Sequence, residues 1–205
     1  MKTITELRPV EYGYLKEWEK NADNFPIFLI GPIKWAADWQ KQFKQKVIEL
    51  IQESPLPLLQ NIMFVDPRRV WEYGNHDLEK QYTPWYENEY HRQRVWELYH
   101  IDLALKRWIV VAWGAPQVQT LEDDEFGMQT KAYGATTRQE LGIFCGRGIH
   151  EEGIKDRLVV WFDEKFPEAS TAWCDFIDTF GEDFQISGNL DELAKRTVEK
   201  IFQLT

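Results

Sequence analysis

Glu140 stands in the stretch Thr136-Thr137-Arg138-Gln139-Glu140-Leu141-Gly142, just after a long polar loop and ahead of the apolar residues Ile143 and Phe144. The threonines suit a helix N-terminus, with Thr137 three residues ahead of Glu140 in the capping-box spacing. A carboxylate so placed can satisfy backbone N–H groups and the helix dipole. It can equally serve as a nucleophile. This segment alone leaves both readings open. Other carboxylates widen the choice: Asp102 falls on the apolar stripe of an expected helix, and Glu122, Asp123, Asp124 and Glu125 crowd one loop. Set among Trp35, Tyr73 and Trp113, such groups would suit a flat ring stacked on aromatics beside an electrophilic sugar carbon. Glycosyl transfer through a carboxylate needs a set of this kind.

Competing chemistries leave no signature. No GxGxxG follows the first expected strand and no Walker loop occurs, so no dinucleotide or other cofactor is expected. His76, His91, His100 and His150 lack metal-ligand spacing, and no metal site is expected. The serines, at 54, 170 and 187, lie in no GxSxG elbow. A net charge of -10 without a basic stripe argues against a nucleic-acid polymer as partner. Nucleosides and other small molecules remain compatible with it. Cys145 and Cys174 have no CxxC spacing and read as buried thiols in a reducing compartment. The first 15 residues carry scattered charges rather than an apolar h-region, and no apolar run reaches membrane-spanning length. A cytoplasmic protein with no membrane partner is the expectation.

The elements that would position these groups alternate between strand and helix. Residues 1–25 show no clear period and read as an N-terminal extension, with one domain over 26–205. Pro26 opens the apolar run Ile27–Ile30, which Gly31-Pro32 closes, as a strand buried on both faces would be. Trp35, Trp39, Phe43, Val47, Leu50 and Ile51 follow helical spacing up to Pro55. Ile62–Val65 is a second strand, stopped by Asp66-Pro67-Arg68-Arg69. Residues 70–86 read as a long structured loop. A helix over 87–107 puts Val95, Leu98, Asp102 and Leu105 on one stripe. Trp108–Trp113 is a third strand, 117–135 a polar loop, and the Glu140 helix then ends near Gly146 to Gly148. Leu158–Phe162 is a fourth strand, Ala172–Phe180 a helix, Phe184–Ile186 a short fifth strand, and Leu190–Phe202 a helix capped by Asn189. The pattern predicts an open α/β sandwich of the doubly wound kind, with about five parallel strands and helices on both faces. Ligands bind such sheets beyond the carboxyl ends of the strands.

Bland roles stand beside the functional ones. Gly31-Pro32 is either an ordinary strand-ending turn or a point of close backbone approach to a ligand. Trp39, Phe43 and Trp96 read as core, and Asp38 and Glu97 as solvated or bonded locally.

Four motifs, in order, carry a resemblance: Phe28-Leu29-Ile30-Gly31-Pro32-Ile33 with Ala37-Asp38-Trp39-Gln40, then Val65-Asp66-Pro67-Arg68-Arg69, then Arg94-Val95-Trp96-Glu97, then Gln139-Glu140-Leu141-Gly142. Over residues 26–202 the chain resembles the divergent branch of the nucleoside 2-deoxyribosyltransferase family. The resemblance implies a flavodoxin-like fold and a double displacement in which Glu140 attacks the anomeric carbon, with Asp102, or else Asp123 or Asp124, protonating the leaving base. It further implies that Gly31, Pro32, Ile33, Asp66, Arg68, Trp113, Asp123, Asp124 and Gly142 bind substrate. The expected partners are a nucleoside or nucleotide, a free nucleobase and further copies of the chain as a homo-oligomer. The family's aspartate at the start of the third strand has Arg107-Trp108 in its place in this chain, so Asp102 fills that role only with a register shift. Hydrolysis of the same glycosidic bond, or nucleotide binding without turnover, are the alternatives.

Overall fold

The computed structural model describes residues 4–7, 24–32, 36, 38–55, 61–67, 89–106, 110–117, 135–148, 153–167 and 169–204. Ile33, Arg68, Asp123 and Asp124, most of the 1–25 segment, and the loops expected over 70–86 and 117–135 lie largely or wholly outside the described residues.

The elements run β1 (Ile4–Leu7), β2 (Asn24–Ile30), α1 (Trp39–Glu53), β3 (Asn61–Val65), α2 (Glu89–Lys106), β4 (Val110–Ala115), α3 (Ala135–Gly148), α4 (Ile154–Arg157), β5 (Leu158–Phe162), α5 (Ala169–Phe180), β6 (Ile186–Ser187) and α6 (Leu190–Leu204). All strands are parallel, in the order β1-β3-β2-β4-β5-β6. From β3 onward this is the flavodoxin-like order, with β1 added at the edge. Among the described residues the sheet therefore has six strands where the sequence pattern predicts about five. The extra one is four residues long and lies against β3 alone, with Ile4 and Leu7 only half-buried. Such a strand leaves no alternation to read.

Burial on both faces explains the near-continuous apolar runs in the central strands. Ile27, Leu29, Val110, Ala112, Val159 and Trp161 point into one layer with α1 and α6. Phe28, Ile30, Val111, Trp113, Leu158 and Val160 point into the other with α2, α3 and α5. Parallel strands need crossovers, and right-handed ones place the helices on these two sides.

Local signals set several boundaries. Asp38 caps α1 by accepting from the Lys41 N–H at 3.1 Å, so the helix begins at Trp39 rather than Trp35. Asn189 caps α6 through the Glu192 N–H at 2.9 Å, while the Glu192 carboxylate reaches back to the Gly188 N–H. Phe184 is not in a strand; it stacks with Phe176 and Phe180 instead, and β6 starts at Ile186. The expected stripe on α2 is wrong in phase. Val95 and Leu98 are exposed, whereas Trp96, Ile101, Ala104 and Leu105 are buried. That helix is apolar around much of its circumference, and burying the larger Trp96 sets its rotation. The cysteines also depart from expectation: Cys174 is exposed and Cys145 half-buried, its thiol pushed up to about 11 chiefly by burial. Among the described residues no helix is long and apolar enough to cross a membrane.

Candidate active site

Among the described side chains of α3, Thr137, Glu140, Leu141 and Phe144 are buried, at the spacing of a single helix face. Glu140 thus occupies a slot that an apolar residue would normally fill, and it is only 7% exposed. Because α3 begins at Ala135, Glu140 lies in the second turn and Thr137 inside the helix. The capping box is not formed, which removes the capping explanation for this glutamate. Its side chain crosses instead to α2, where Arg94 Nη1 donates to Glu140 Oε1 at 3.2 Å. The same nitrogen donates to Glu97 Oε2 at 3.1 Å. Glu97 is also 7% exposed.

Two buried carboxyl groups and one guanidinium therefore meet at the seam between α2 and α3. On this side of the sheet α2 lies over β2, as the contact of His100 with Phe28 shows. Crossovers from β3 to β4 and from β4 to β5 put the seam beside β2 and β4, where the strand order reverses. That is the topological switch point, the usual ligand position in such sheets. The triad sits toward the N-terminal halves of both helices, and hence toward the carboxyl edge of the strands.

Burial is the largest influence on Glu140, followed by repulsion from Glu97; together they outweigh Arg94 and push its carboxyl up to about 8. Two like charges around one cation make the pair hold a proton near neutrality. One oxygen is anchored by Arg94, and the other accepts no hydrogen bond from the described residues.

Asp102 is not brought to this centre. It pairs with Arg147 Nη2 at 3.0 Å, about 40% exposed on both sides. From Arg94 to Asp102 and from Glu140 to Arg147 the chain runs two turns along parallel helices, roughly 10 Å at 1.5 Å per residue. Gly142 is exposed, and a Cβ there would meet nothing. It lies on the outer side of α3, away from the Glu140 face. Asp66 is fully buried at the end of β3, but on the α1 side, where Lys44 Nζ donates to it at 2.7 Å and also pairs with Glu6. Trp113 is core, ringed by Phe162, Phe166 and Phe176.

Gly31 and Pro32 do lie at the switch point, and the group that approaches them closely is Trp39. A Cβ on Gly31 would come within 2.0 Å of the Gly114 carbonyl and 2.6 Å of the Trp39 ring; one on Gly114 would meet the same ring at 2.6 Å. The indole lies on two bare backbones, and its Nε1 donates to the Pro32 carbonyl at 3.1 Å, beside Gln40 Nε2 at 3.3 Å. On the α1 side the crevice is filled by protein.

Comparison with family models, with curated proteins and with solved structures finds no match to this chain. The functional reading rests on the residues of the site themselves.

Arg94 and Glu97 were legible only as part of a motif. Their spacing of three on a helix usually marks a solvated ion pair. The signal that separates this pair from a solvated one is the Trp96 beside Glu97, which turns that side of α2 inward.

His100 completes the buried polar set on α2. Burial lowers it to about 4 despite its Nδ1 contact with the Trp96 carbonyl at 2.8 Å, so it is neutral at physiological pH. Among the described residues no group of three or more His, Cys, Asp or Glu could hold a metal ion.

Proposed function

We propose that this protein transfers a deoxyribosyl or ribosyl group between nucleobases through a glycosyl ester on Glu140, the chemistry of the nucleoside 2-deoxyribosyltransferases it resembles. The observation that carries this reading is the buried Glu97–Arg94–Glu140 triad at the switch-point seam, with one Glu140 oxygen anchored and the other free of hydrogen bonds from the described residues. Desolvated carboxyl pairs with raised affinity for a proton recur at acid–base and nucleophilic sites.

Attack requires that the proton Glu140 holds in the resting state pass to Glu97, leaving the charge on Glu140. The unanchored oxygen of Glu140 attacks C1′, the C1′–N bond breaks, and its electron pair leaves with the base. The base nitrogen takes the proton from Glu97. This yields a glycosyl ester on Glu140 and a Glu97 carboxylate held by Arg94. A second base reverses each step, giving its N–H proton to Glu97, bonding to C1′ and returning the ester electron pair to Glu140. Glu97 thus takes the acid role that the motif resemblance assigned to Asp102. A substrate without a 2′-hydroxyl reaches the oxocarbenium-like transition state more readily, which favours deoxyribosides.

The test is incubation with a deoxynucleoside and a different free base, with products separated by chromatography, alongside Glu140→Ala. New deoxynucleoside from the wild type and none from the variant supports the reading. Free base without exchange replaces the acceptor base by water and makes the protein an N-glycosidase. No product from deoxynucleosides or their 5′-phosphates overturns turnover at this site.

A further inference from the structure

We infer that Arg94 is a positioning residue: through the single nitrogen Nη1 it clamps Glu97 Oε2 and Glu140 Oε1 across the α2–α3 seam and so fixes which Glu140 oxygen faces the reaction. The inference rests on Glu140 being the nucleophile, and it has Arg94 act through the two carboxylates.

The geometry is economical. Nη1 carries two hydrogens, and each carboxylate accepts one, at 3.1 and 3.2 Å. The carboxylate side chains are 9% exposed and the arginine side chain 24%, so all three groups are largely withdrawn from water. Anchors on two different helices make the clamp a link between α2 and α3, so the orientation of Glu140 is tied to the packing of a second element. Among the described residues the charged groups acting on Glu140 are Glu97 and Arg94, both on α2; none comes from α5 or the sheet. Removing the guanidinium therefore leaves Glu140 in a desolvated seam beside Glu97 without the cation that opposes burial and repulsion there.

A merely structural arginine would contribute to stability and leave the ionisation of its partners irrelevant to rate. A positioning arginine has a further signature. Arg94 opposes the raised proton affinity of Glu140, so its loss must raise that affinity further. The acid limb of the pH–rate profile then moves to higher pH, because less Glu140 is ionised at any given pH.

The experiment uses the full chain with Arg94→Gln and Arg94→Lys, both checked for folding by thermal melting. It reads the pH dependence of kcat and KM for base exchange, and follows the carboxyl carbons by NMR on 13C-glutamate-labelled protein. Expected for Arg94→Gln is an acid limb displaced upward by about one pH unit or more, kcat at pH 7 reduced roughly 10- to 100-fold, and KM little changed. Arg94→Lys returns the limb toward its wild-type position while leaving kcat low, since one ammonium lacks the fixed fork. An Arg94→Gln profile superimposable on wild type, or a carboxyl titration of Glu140 unaltered by the substitution, overturns the inference. The NMR arm does not need turnover: an inactive Glu140→Ala with a normal titration in Arg94→Gln sinks the clamp alone, whereas full exchange by Glu140→Ala sinks the nucleophile while the titration still reports on Arg94.

Discussion

Glu140 is an ionisable group in a place built for an apolar one, and its protonation has a thermodynamic sign. In the unfolded chain it ionises above its ordinary value of 4.5, whereas in the fold it keeps its proton to about 8. The folded state therefore binds more protons in that window, and this residue's contribution to stability falls as pH rises through it, then levels off. Glu140→Gln, neutral at every pH, should raise Tm at pH 8 by several degrees, on the basis of roughly 2–4 °C per kcal/mol for a chain of this size, and make little difference at pH 4. Melting curves across that range check it. Stability given up at a working residue is the usual signature of a functional site. Asp102 contrasts with it, being paired with Arg147 in the open. Asp102→Asn should cost under about 1 kcal/mol and leave the exchange rate within twofold of wild type, as urea titration and the exchange assay would report. Glu140 was legible because its motif is short, ordered and preceded by a loop. Glu97 was not, because an Arg and a Glu three apart look alike on a solvated helix and on a buried one.

The β2–α1 and β4–α3 junctions show how elements are matched to one another. Trp39 fits against the sheet only because Gly31 and Gly114 have no side chains, and its indole ties α1 to the Pro32 carbonyl. Gly114→Ala should cost about 1–3 kcal/mol, since the new methyl meets the ring in a packed layer. Trp39→Leu in that background should return part of the loss, so that the double-mutant cycle gives a clear coupling. Equal additive losses would mean that the contact does not matter. The Gly-Pro turn was visible in the sequence, but its cause was not: a glycine that approaches a ligand and one that approaches a tryptophan read identically. The same holds for α2, whose helical period was plain while its rotation was not.

At the scale of the molecule, alternating strands and helices with short apolar runs were enough to anticipate a doubly wound parallel sheet, a fold that binds ligands at its carboxyl edge. What the sequence could not announce was β1, which joins the sheet by pairing with β3 and by the Lys44 bridge from Glu6 to the buried Asp66. Lys44→Met leaves Asp66 buried without that partner and should cost roughly 3–5 kcal/mol; Lys44→Met with Asp66→Asn should recover much of it, by chemical denaturation. In the proposed chemistry the sheet serves to bring α2 and α3 together so that Glu140 can carry a sugar. The most direct measurement is mass spectrometry of the intact protein, quenched in acid after mixing with a deoxynucleoside, followed by peptide mapping. A mass increase of one deoxyribosyl group on the peptide containing Glu140, lost on adding a second base, is the expected result. Turnover with no such adduct at any quench time, or an adduct that persists in Glu140→Ala, would contradict it.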